Sequence, residues 1–448
     1  MARLTPISGF PEWTPAQRAV EQQVLDELRR VFELHGFPSI ETRAVEPVAQ
    51  LLRKGEIDKE VYGVHRLARH ADRAGSDDEL ALHFDLTVPF ARYVLENAGT
   101  LQFPFRRYQV QKVWRGERPQ EGRYREFVQA DIDVVDRDTL PFGYEVEMPL
   151  VMAEAFAGLR RLGLPAMTIR VSNRRLAEGF YLGLGLDDPP AVLRAVDKLD
   201  KIGPDGVRRE LLAAGAADSQ VDACLALASI RSAGTGFVDE VRALGSRHEL
   251  LDHGLDELAA VVGAAERRSP GALVADLSIA RGLDYYTGTV YETTMAGFEQ
   301  HGSACSGGRY DALASDGKVT YPGVGISFGV TRVLGLLFGR GLTASRSVPT
   351  VVLVAVTDEQ RRADAESVAD ALRARGISAL VSPGAEKFGR QIRFADRRGI
   401  PYVWFTGAGE GGGDQVKDIR SGEQVDAAAS SWAPPEADLR PQVVPVAT

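Results

Sequence analysis

The sequence predicts an α+β chain in which an antiparallel sheet forms the main body, a helical stretch interrupts it, and a smaller α/β domain follows. Three observations carry this reading. Two strand-like runs, from Tyr108 to Arg115 and from Tyr124 to Val134, flank a short loop holding Pro119 and Gly122, which is the pattern of two antiparallel strands. From about Ser172 the apolar spacing turns helical, with Val192, Leu193, Val196 and Leu199, then Val221, Leu225 and Leu227. Beyond Thr350 three apolar runs alternate with two helical segments, a βαβαβ order that implies a compact parallel or mixed sheet. The division expected is 1–171 and 275–345 for the two parts of the main body, 172–274 for a helical insertion, 350–433 for the C-terminal α/β domain and 434–448 for a loose tail.

Composition narrows the function classes. A chain of 448 residues is too long for one core, with 44% hydrophobic and 26% charged residues, as in a soluble globular protein. No run of about 18 apolar residues is present, so no membrane span is expected. The start, MARLTPISGF, lacks an apolar signal core, which leaves the cytoplasm as the expected compartment. Cys224 and Cys305 make neither a disulfide framework nor a zinc site, and no metal held by protein side chains is expected. The net charge of −9 means that any nucleic acid must be met by local basic patches.

In chain order, Thr14 and Pro15 read as a helix start: a side chain able to accept a backbone N–H, then a residue whose own N–H is not needed. Val20, Val24, Leu28 and Val31 fall on one helical face, and Gly36 ends the helix. Leu80 to Pro89 (LALHFDLTVP) reads as a strand with Asp85 and Thr87 on one side. The central stretch is RGERPQEGRYREFVQADID at 115–133. In its second strand Val128, Ala130, Ile132 and Val134 share one face, and Phe127, Gln129, Asp131 and Asp133 the other. A solvated face has no need of Arg115, Arg118, Arg123 and Arg125 beside two acids and a glutamine. That mixture suits a planar anionic ligand met by forked guanidinium groups, and a smaller zwitterion met by carboxylates.

Tyr144 to Leu162 reads as a helix, and the helical insertion follows. Strands return at Ala275, with RGLDYYTG at 281–288 and SGGRYD at 306–311, then GVGISFGVTR at 323–332 before an apolar helix. Arg340 to Arg346 reads as a linker. In the last domain KFGRQIRFADRRG at 387–399 places Arg390, Arg393 and Arg397 close to one helix face. GAGEGGG at 407–413 is read as a turn, since no lysine and serine follow as a phosphate loop requires. Neither GxGxxG after a strand nor a Walker loop is present, which removes a dinucleotide-dependent dehydrogenase or a P-loop kinase.

The central stretch resembles the second signature motif of class II aminoacyl-tRNA synthetases. In the detail of GRYREF followed by Gln129 and Asp133 it resembles the histidyl-tRNA synthetases, and RGLDYYTG with SGGRYD matches two signatures particular to that family. The resemblance spans almost the whole chain. It implies a class II antiparallel-sheet catalytic domain, a helical insertion reaching the tRNA acceptor arm, an anticodon-binding C-terminal domain and a homodimer. It implies ligation of L-histidine to tRNA(His) through a histidyl adenylate, with ATP as substrate and Mg²⁺ on the leaving pyrophosphate. Arg115 would meet the α-phosphate, with Arg281 opposite it and Arg123 on the outer phosphates. Glu117 belongs to the same ATP site, and Phe127 and Arg332 would enclose the adenine. Asp133 and Tyr286 would read the imidazole, Tyr285 and Tyr310 would wall the pocket, and Asp85, Thr87 and Gln129 would hold the α-amino group. Arg118 and Gln120 would approach the 5′ end of the tRNA, and Arg390 and Arg393 the anticodon stem. Two departures stand out: FDLTVPFARY at 84–93 carries Asp85 where many bacterial members have glutamate, and Thr331 stands where glutamate is usual before the arginine. The competing readings are a synthetase-like regulatory subunit or sensor that binds histidine or tRNA without joining them, and a class II synthetase for another amino acid.

Overall fold

A computed structural model describes residues 5–52, 60–66, 79–280 and 285–445. The chain forms two compact units: Met1–Pro11 with Leu25–Leu336, and Glu12–Val24 with Leu337–Thr448.

The first long element, α1 (Pro15–Leu34), begins as its sequence dictates: the Thr14 hydroxyl accepts the Gln17 N–H, and the Gln17 side chain accepts the Thr14 N–H in return. Val20, Val24, Leu28 and Val31 are all fully buried. Gly36, at φ 74°, turns the chain out of the helix. A small three-stranded sheet follows, from β1 (Val45–Pro47), β2 (Gly63–Val64) and β3 (Leu80–Leu82), with the short α2 (Val48–Leu51) between β1 and β2. The strand expected over residues 80–89 is therefore only its first three residues. Asp85 accepts the Val88 N–H at 3.1 Å and α3 (Thr87–Asn97) starts there. Pro89 sits in the first helical turn, where its missing N–H costs nothing.

β4 (Phe105–Trp114) and β5 (Glu126–Val135) form the expected antiparallel pair, with Arg107 opposite Asp133, Gln109 opposite Asp131 and Gln111 opposite Gln129. After α4 (Gly143–Arg161), β6 (Met167–Asn173) enters the main sheet. The boundary expected at residue 172 falls inside this strand. The Asn173 side chain accepts the N–H groups of Arg175 and Leu176 and so starts α5 (Arg174–Gly183). Then come α6 (Pro189–Val196), α7 (Leu199–Ala213), α8 (Asp218–Ser229), the edge strand β7 (Arg231–Ser232), α9 (Phe237–Ala243) and α10 (Glu249–Arg268). α5 and α10 approach closely because each has glycine at the crossing: a Cβ at Gly179 would lie 2.1 Å from the Leu251 N, and one at Gly254 2.2 Å from the Leu176 N.

The chain returns through β8 (Leu273–Asp276), β9 (Tyr286–Met295), β10 (Cys305–Tyr310), β11 (Gly323–Gly329) and α11 (Val330–Phe338). The resulting eight-stranded sheet has the order β4-β5-β11-β10-β9-β6-β8-β7 and is antiparallel except where β6 meets β8. One face is apolar: Ala130, Ile132 and Val134 of β5 align with Phe328, Ile326 and Val324 of β11, and the Phe328 ring lies 5.6 Å from Phe156 of α4. Each of the valine, isoleucine and phenylalanine side chains among them contributes about 1.5–3 kcal/mol by leaving water. The opposite face bears Phe127, Gln129, Asp131 and Asp133. It was read as polar, and the structure buries most of it: Gln129 is 8% exposed, Asp131 2% and Asp133 3%.

In the second unit β12 (Thr343–Ala344) leads to β13 (Val352–Ala355), α12 (Arg362–Ala374), β14 (Ala379–Val381), α13 (Phe388–Arg398) and β15 (Tyr402–Phe405). β14, β13 and β15 are parallel, and β16 (Asp414–Asp418) and β17 (Gln424–Ala427) extend the sheet antiparallel, which makes it mixed. The segments expected to be a linker and a loose tail are ordered against each other. β18 (Val443–Val444) pairs with β12, and Asp438 accepts hydrogen bonds from the Tyr402 hydroxyl and from Arg420. A Pro-rich composition suggested freedom there; pairing across roughly a hundred residues, invisible to composition, removes it.

Candidate functional site

The polar face of the main sheet is the floor of two adjoining cavities. The first, of about 140 Å³, is lined by Arg115, Glu117, Arg123, Phe127, Gln129, Ser306, Ser327 and Arg332 among others. The second, of about 80 Å³, is bordered by Asp85, Thr87, Asp131, Asp133, Tyr285, Tyr286 and Tyr310. Arg115, Gln129, Ser306 and Ser327 line both, so the two are ends of one cleft.

At the first end, Arg115 is the residue just past β4. Its Nε donates to the Phe84 carbonyl (3.0 Å), and its guanidinium carbon lies 5.2 Å from the Phe127 ring centroid. Arg123 and Glu117 form an ion pair at the rim, 2.9 Å apart. Arg332, in the first turn of α11, donates to the His301 carbonyl. Thr331 beside it is 98% removed from solvent, and its hydroxyl accepts the Val128 N–H at 2.8 Å. β11 stops pairing with β5 at Gly329 opposite Gln129, so the Thr331 hydroxyl continues the ladder by one bond between Phe127 and Gln129. The residue that departs from the family pattern thus has a definite structural use.

At the second end, Asp133 is gripped from two sides: Arg107 Nη2 lies 2.6 Å from Oδ2, and the Tyr310 hydroxyl donates to Oδ1 at 2.8 Å. A Cβ at Gly325 would sit 1.9 Å from Asp133 Oδ1, so only glycine leaves the carboxylate its place. The Tyr285 and Tyr286 rings are 4.2 Å apart. Burial, with Tyr285 and the Asp133 carboxylate nearby, pushes the Tyr286 phenol well above its usual range. Burial and Asp133 do the same for Tyr310, so both keep their hydroxyl protons as donors. Tyr310 is set by its neighbour Arg309, which bonds the buried Glu145 at 2.8 Å and Asp311 at 3.0 Å. Glu145 in turn accepts the Thr289 N–H and hydroxyl. The SGGRYD stretch, which forms most of β10, is thereby tied to β9 and α4.

Of the residues singled out in the sequence, Arg115, Glu117, Arg123, Phe127, Gln129 and Arg332 line the first cavity, and Asp85, Thr87, Asp133, Tyr285, Tyr286 and Tyr310 the second. Arg281 lies outside the described residues. Arg118 and Gln120 are exposed on the β4–β5 loop and border neither cavity. Arg390 and Arg393 are exposed on α13 of the other unit. Two residues of the floor were not picked out. Arg107 is completely buried, its guanidinium carbon 4.4 Å from the Phe90 centroid, and the register of the hairpin places it opposite Asp133. Asp131 lies on the face that its alternation predicts, and the sequence reading gives it no role. Burial pushes its carboxyl up to about 7, with Arg107 acting against that and Asp133 adding to it. The register explains both: it sets Arg107 directly opposite Asp133, and Asp131 opposite the neutral Gln109.

Comparison with known proteins bears on the whole chain. The family model for histidyl-tRNA synthetase matches residues 9–333, and that for an anticodon binding domain matches residues 350–433. The histidine–tRNA ligases of Cutibacterium acnes and Micrococcus luteus are each 60% identical, over 99% of both chains. Among solved structures, histidyl-tRNA synthetase from Nostoc sp. PCC 7120 superposes with a TM-score of 0.85 at 33% identity, covering 96% of this chain and 98% of that one.

Proposed function

The chain belongs to the histidyl-tRNA synthetase family, and on that premise we propose how its cleft divides the work of joining histidine to tRNA(His) with ATP. The reaction is the ligase's: the histidine carboxylate attacks the α-phosphorus of ATP, pyrophosphate leaves, and a tRNA ribose hydroxyl then takes the histidyl group from the adenylate. Both partners in the first step are anions, so fixed cations are the natural remedy.

Arg115, just past β4, meets the α-phosphate and the carboxylate, and Arg281 is the second cation we assign to that phosphate. Phe127 and Arg332 hold the adenine between a ring face and a guanidinium. Arg123 takes the outer phosphates, with Glu117 fixing its direction. Mg²⁺ would enter on the phosphate oxygens and draw charge from the leaving pyrophosphate; among the described residues no group of three or more His, Cys, Asp or Glu side chains could cage it. Asp133, already oriented by Arg107, accepts an imidazole N–H, and Tyr286 contacts the other ring nitrogen, with Tyr285 and Tyr310 as walls. A pocket of polar partners rejects analogues lacking the matching groups far better than an apolar slot. Asp85, Thr87 and Gln129 take the α-ammonium group. Arg118 and Gln120, exposed on the β4–β5 loop, would approach the 5′ end of the tRNA, and Arg390 and Arg393, exposed on α13, the anticodon stem. A cytoplasmic homodimer is the assembly we propose; among the described residues no helix is long and apolar enough to cross a membrane.

The observation that supports this reading best is the shared cleft: Arg115, Phe127 and Arg332 line one end, Asp133 and Tyr286 the other, and Arg115, Gln129, Ser306 and Ser327 line both. The test is Arg281→His. Histidine binding by equilibrium dialysis should be unchanged, while single-turnover adenylate formation slows by about 10²–10³-fold. Activation at the normal rate would remove Arg281 from its role.

A further inference from the structure

Three carboxylates border the second cavity, and their surroundings differ. Asp133 is matched by Arg107 and the Tyr310 hydroxyl. Asp85 accepts the Val88 N–H at the start of α3. Asp131 is 2% exposed, and its Oδ1 has no hydrogen-bond partner among the described residues. Its other support is Ser327, whose hydroxyl bonds to the Asp131 carboxylate and in turn accepts the Gln129 amide at 2.5 Å. The facing residue on β4, Gln109, has both of its amide N–H bonds directed at Thr42 and Gln111 and gives none to Asp131. A buried carboxylate oxygen left without a donor is costly, and such a group on a cavity wall calls for a cation or a donor from the ligand.

Position says which part of the ligand that is. Along β5 the cleft-facing residues are Phe127, Gln129, Asp131 and Asp133, about 7 Å apart. Phe127 belongs to the nucleotide end and Asp133 to the end walled by three tyrosines. A histidyl group spanning these ends has its carboxylate toward Arg115 and its ring toward Asp133, with Gln129 between them. The Cα with its ammonium group then lies over Asp131.

We propose that Asp131 is a substrate-binding residue, the buried counter-ion for the α-ammonium group of the amino acid, acting with Gln129 through the Ser327 hydroxyl. This rests on the reading of the cleft given above. The ammonium supplies the donor that Oδ1 lacks, and Gln129 and Ser327 hold the carboxylate facing the cavity instead of the strand. Discrimination follows: a ligand carrying the ring without the amine leaves Asp131 unmatched, and one with the amine gains a charge-assisted hydrogen bond.

The test compares two inhibitors of histidine-dependent pyrophosphate exchange that each keep the imidazole: histamine, which has the amine and no carboxylate, and imidazolepropionate, which has the carboxylate and no amine. In Asp131→Asn the KM for histidine and the Ki for histamine should rise about 10- to 100-fold, while the KM for ATP and the Ki for imidazolepropionate stay within about twofold. Those two unchanged constants show that the variant's cleft is intact. If histamine binds the variant as it binds the wild type, or if both inhibitors weaken equally, Asp131 does not hold the ammonium. A wild-type protein with no histidine-dependent exchange at all would instead overturn the reading of the cleft itself.

Discussion

Asp131 also makes the stability of the free protein depend on pH in a way that can be calculated. Its carboxyl is held near 7 by burial, against an ordinary value of 3.8, with Arg107 and the Ser327 hydroxyl opposing the rise and Asp133 and Asp85 adding to it. The folded state therefore favours the protonated form. Below about pH 4 the residue is neutral folded or unfolded and has no effect. As the pH rises from about 4 to about 7, the unfolded chain gives up the proton and the folded one keeps it, so stability falls by about 1.4 kcal/mol for each pH unit. Above about 7 the loss is complete, at about 4 kcal/mol, an upper bound for a fully buried group. Asparagine has the same shape and cannot titrate. Asp131→Asn should accordingly be more stable than the wild type at neutral pH, with its advantage growing by about 2–3 kcal/mol between about pH 5 and about pH 8. For a unit of this size 1 kcal/mol moves the melting midpoint by roughly 2 °C, so the two melting curves should separate by about 4–6 °C more at the higher pH. Differential scanning calorimetry of ligand-free protein in matched buffers reads this directly. Curves that run parallel across the range would mean that Asp131 has an ordinary proton affinity in the fold. A residue that weakens the empty protein and strengthens the loaded one is what a binding role predicts.

Two further substitutions probe the same floor. Gly325→Ala places a methyl group where Asp133 Oδ1 now sits, so it should raise the KM for histidine by about 10-fold or more while leaving the KM for ATP near its wild-type value; equal effects on both would mean the sheet, not the carboxylate, had moved. Arg107→Met leaves Asp133 buried without its partner and should cost about 3–5 kcal/mol in urea denaturation, whereas Arg107→Met with Asp133→Asn should recover most of that stability and none of the activity. A double variant as unstable as the single one would show that Arg107 stabilises through packing on Phe90 and not through its charge.

How far the sequence could be read depended on whether the cause of each feature was local. Alternation along residues 127–134 gave the right two faces of β5, because strand geometry fixes which side chains share a face. The same pattern could not distinguish a wetted face from a buried one, and Gln129, Asp131 and Asp133 turned out to be enclosed. Leu80 to Pro89 looked like a strand because its apolar residues are dense, yet Asp85 three residues before Val88 was a helix-start signal that outweighed them. Arg107 was missed because its importance comes from the residue across the hairpin, and only the register reveals that. The tail from Pro434 was misread for the reason opposite to local: Asp438 is fixed by Tyr402 and Arg420, and Val443 and Val444 by a strand roughly a hundred residues earlier. The RGLDYYTG and SGGRYD motifs were legible only through resemblance; periodicity alone gives Tyr285 and Tyr286 as a packing pair.

In the function proposed above, one cleft brings the anionic end of ATP and the imidazole of histidine together, with protein cations between them. ATP–pyrophosphate exchange measured with each of the standard amino acids in turn tests it most directly. Exchange should occur with histidine and stay at background with all others. Exchange supported by a different amino acid, or by none in the presence of Mg²⁺ and ATP, would contradict it.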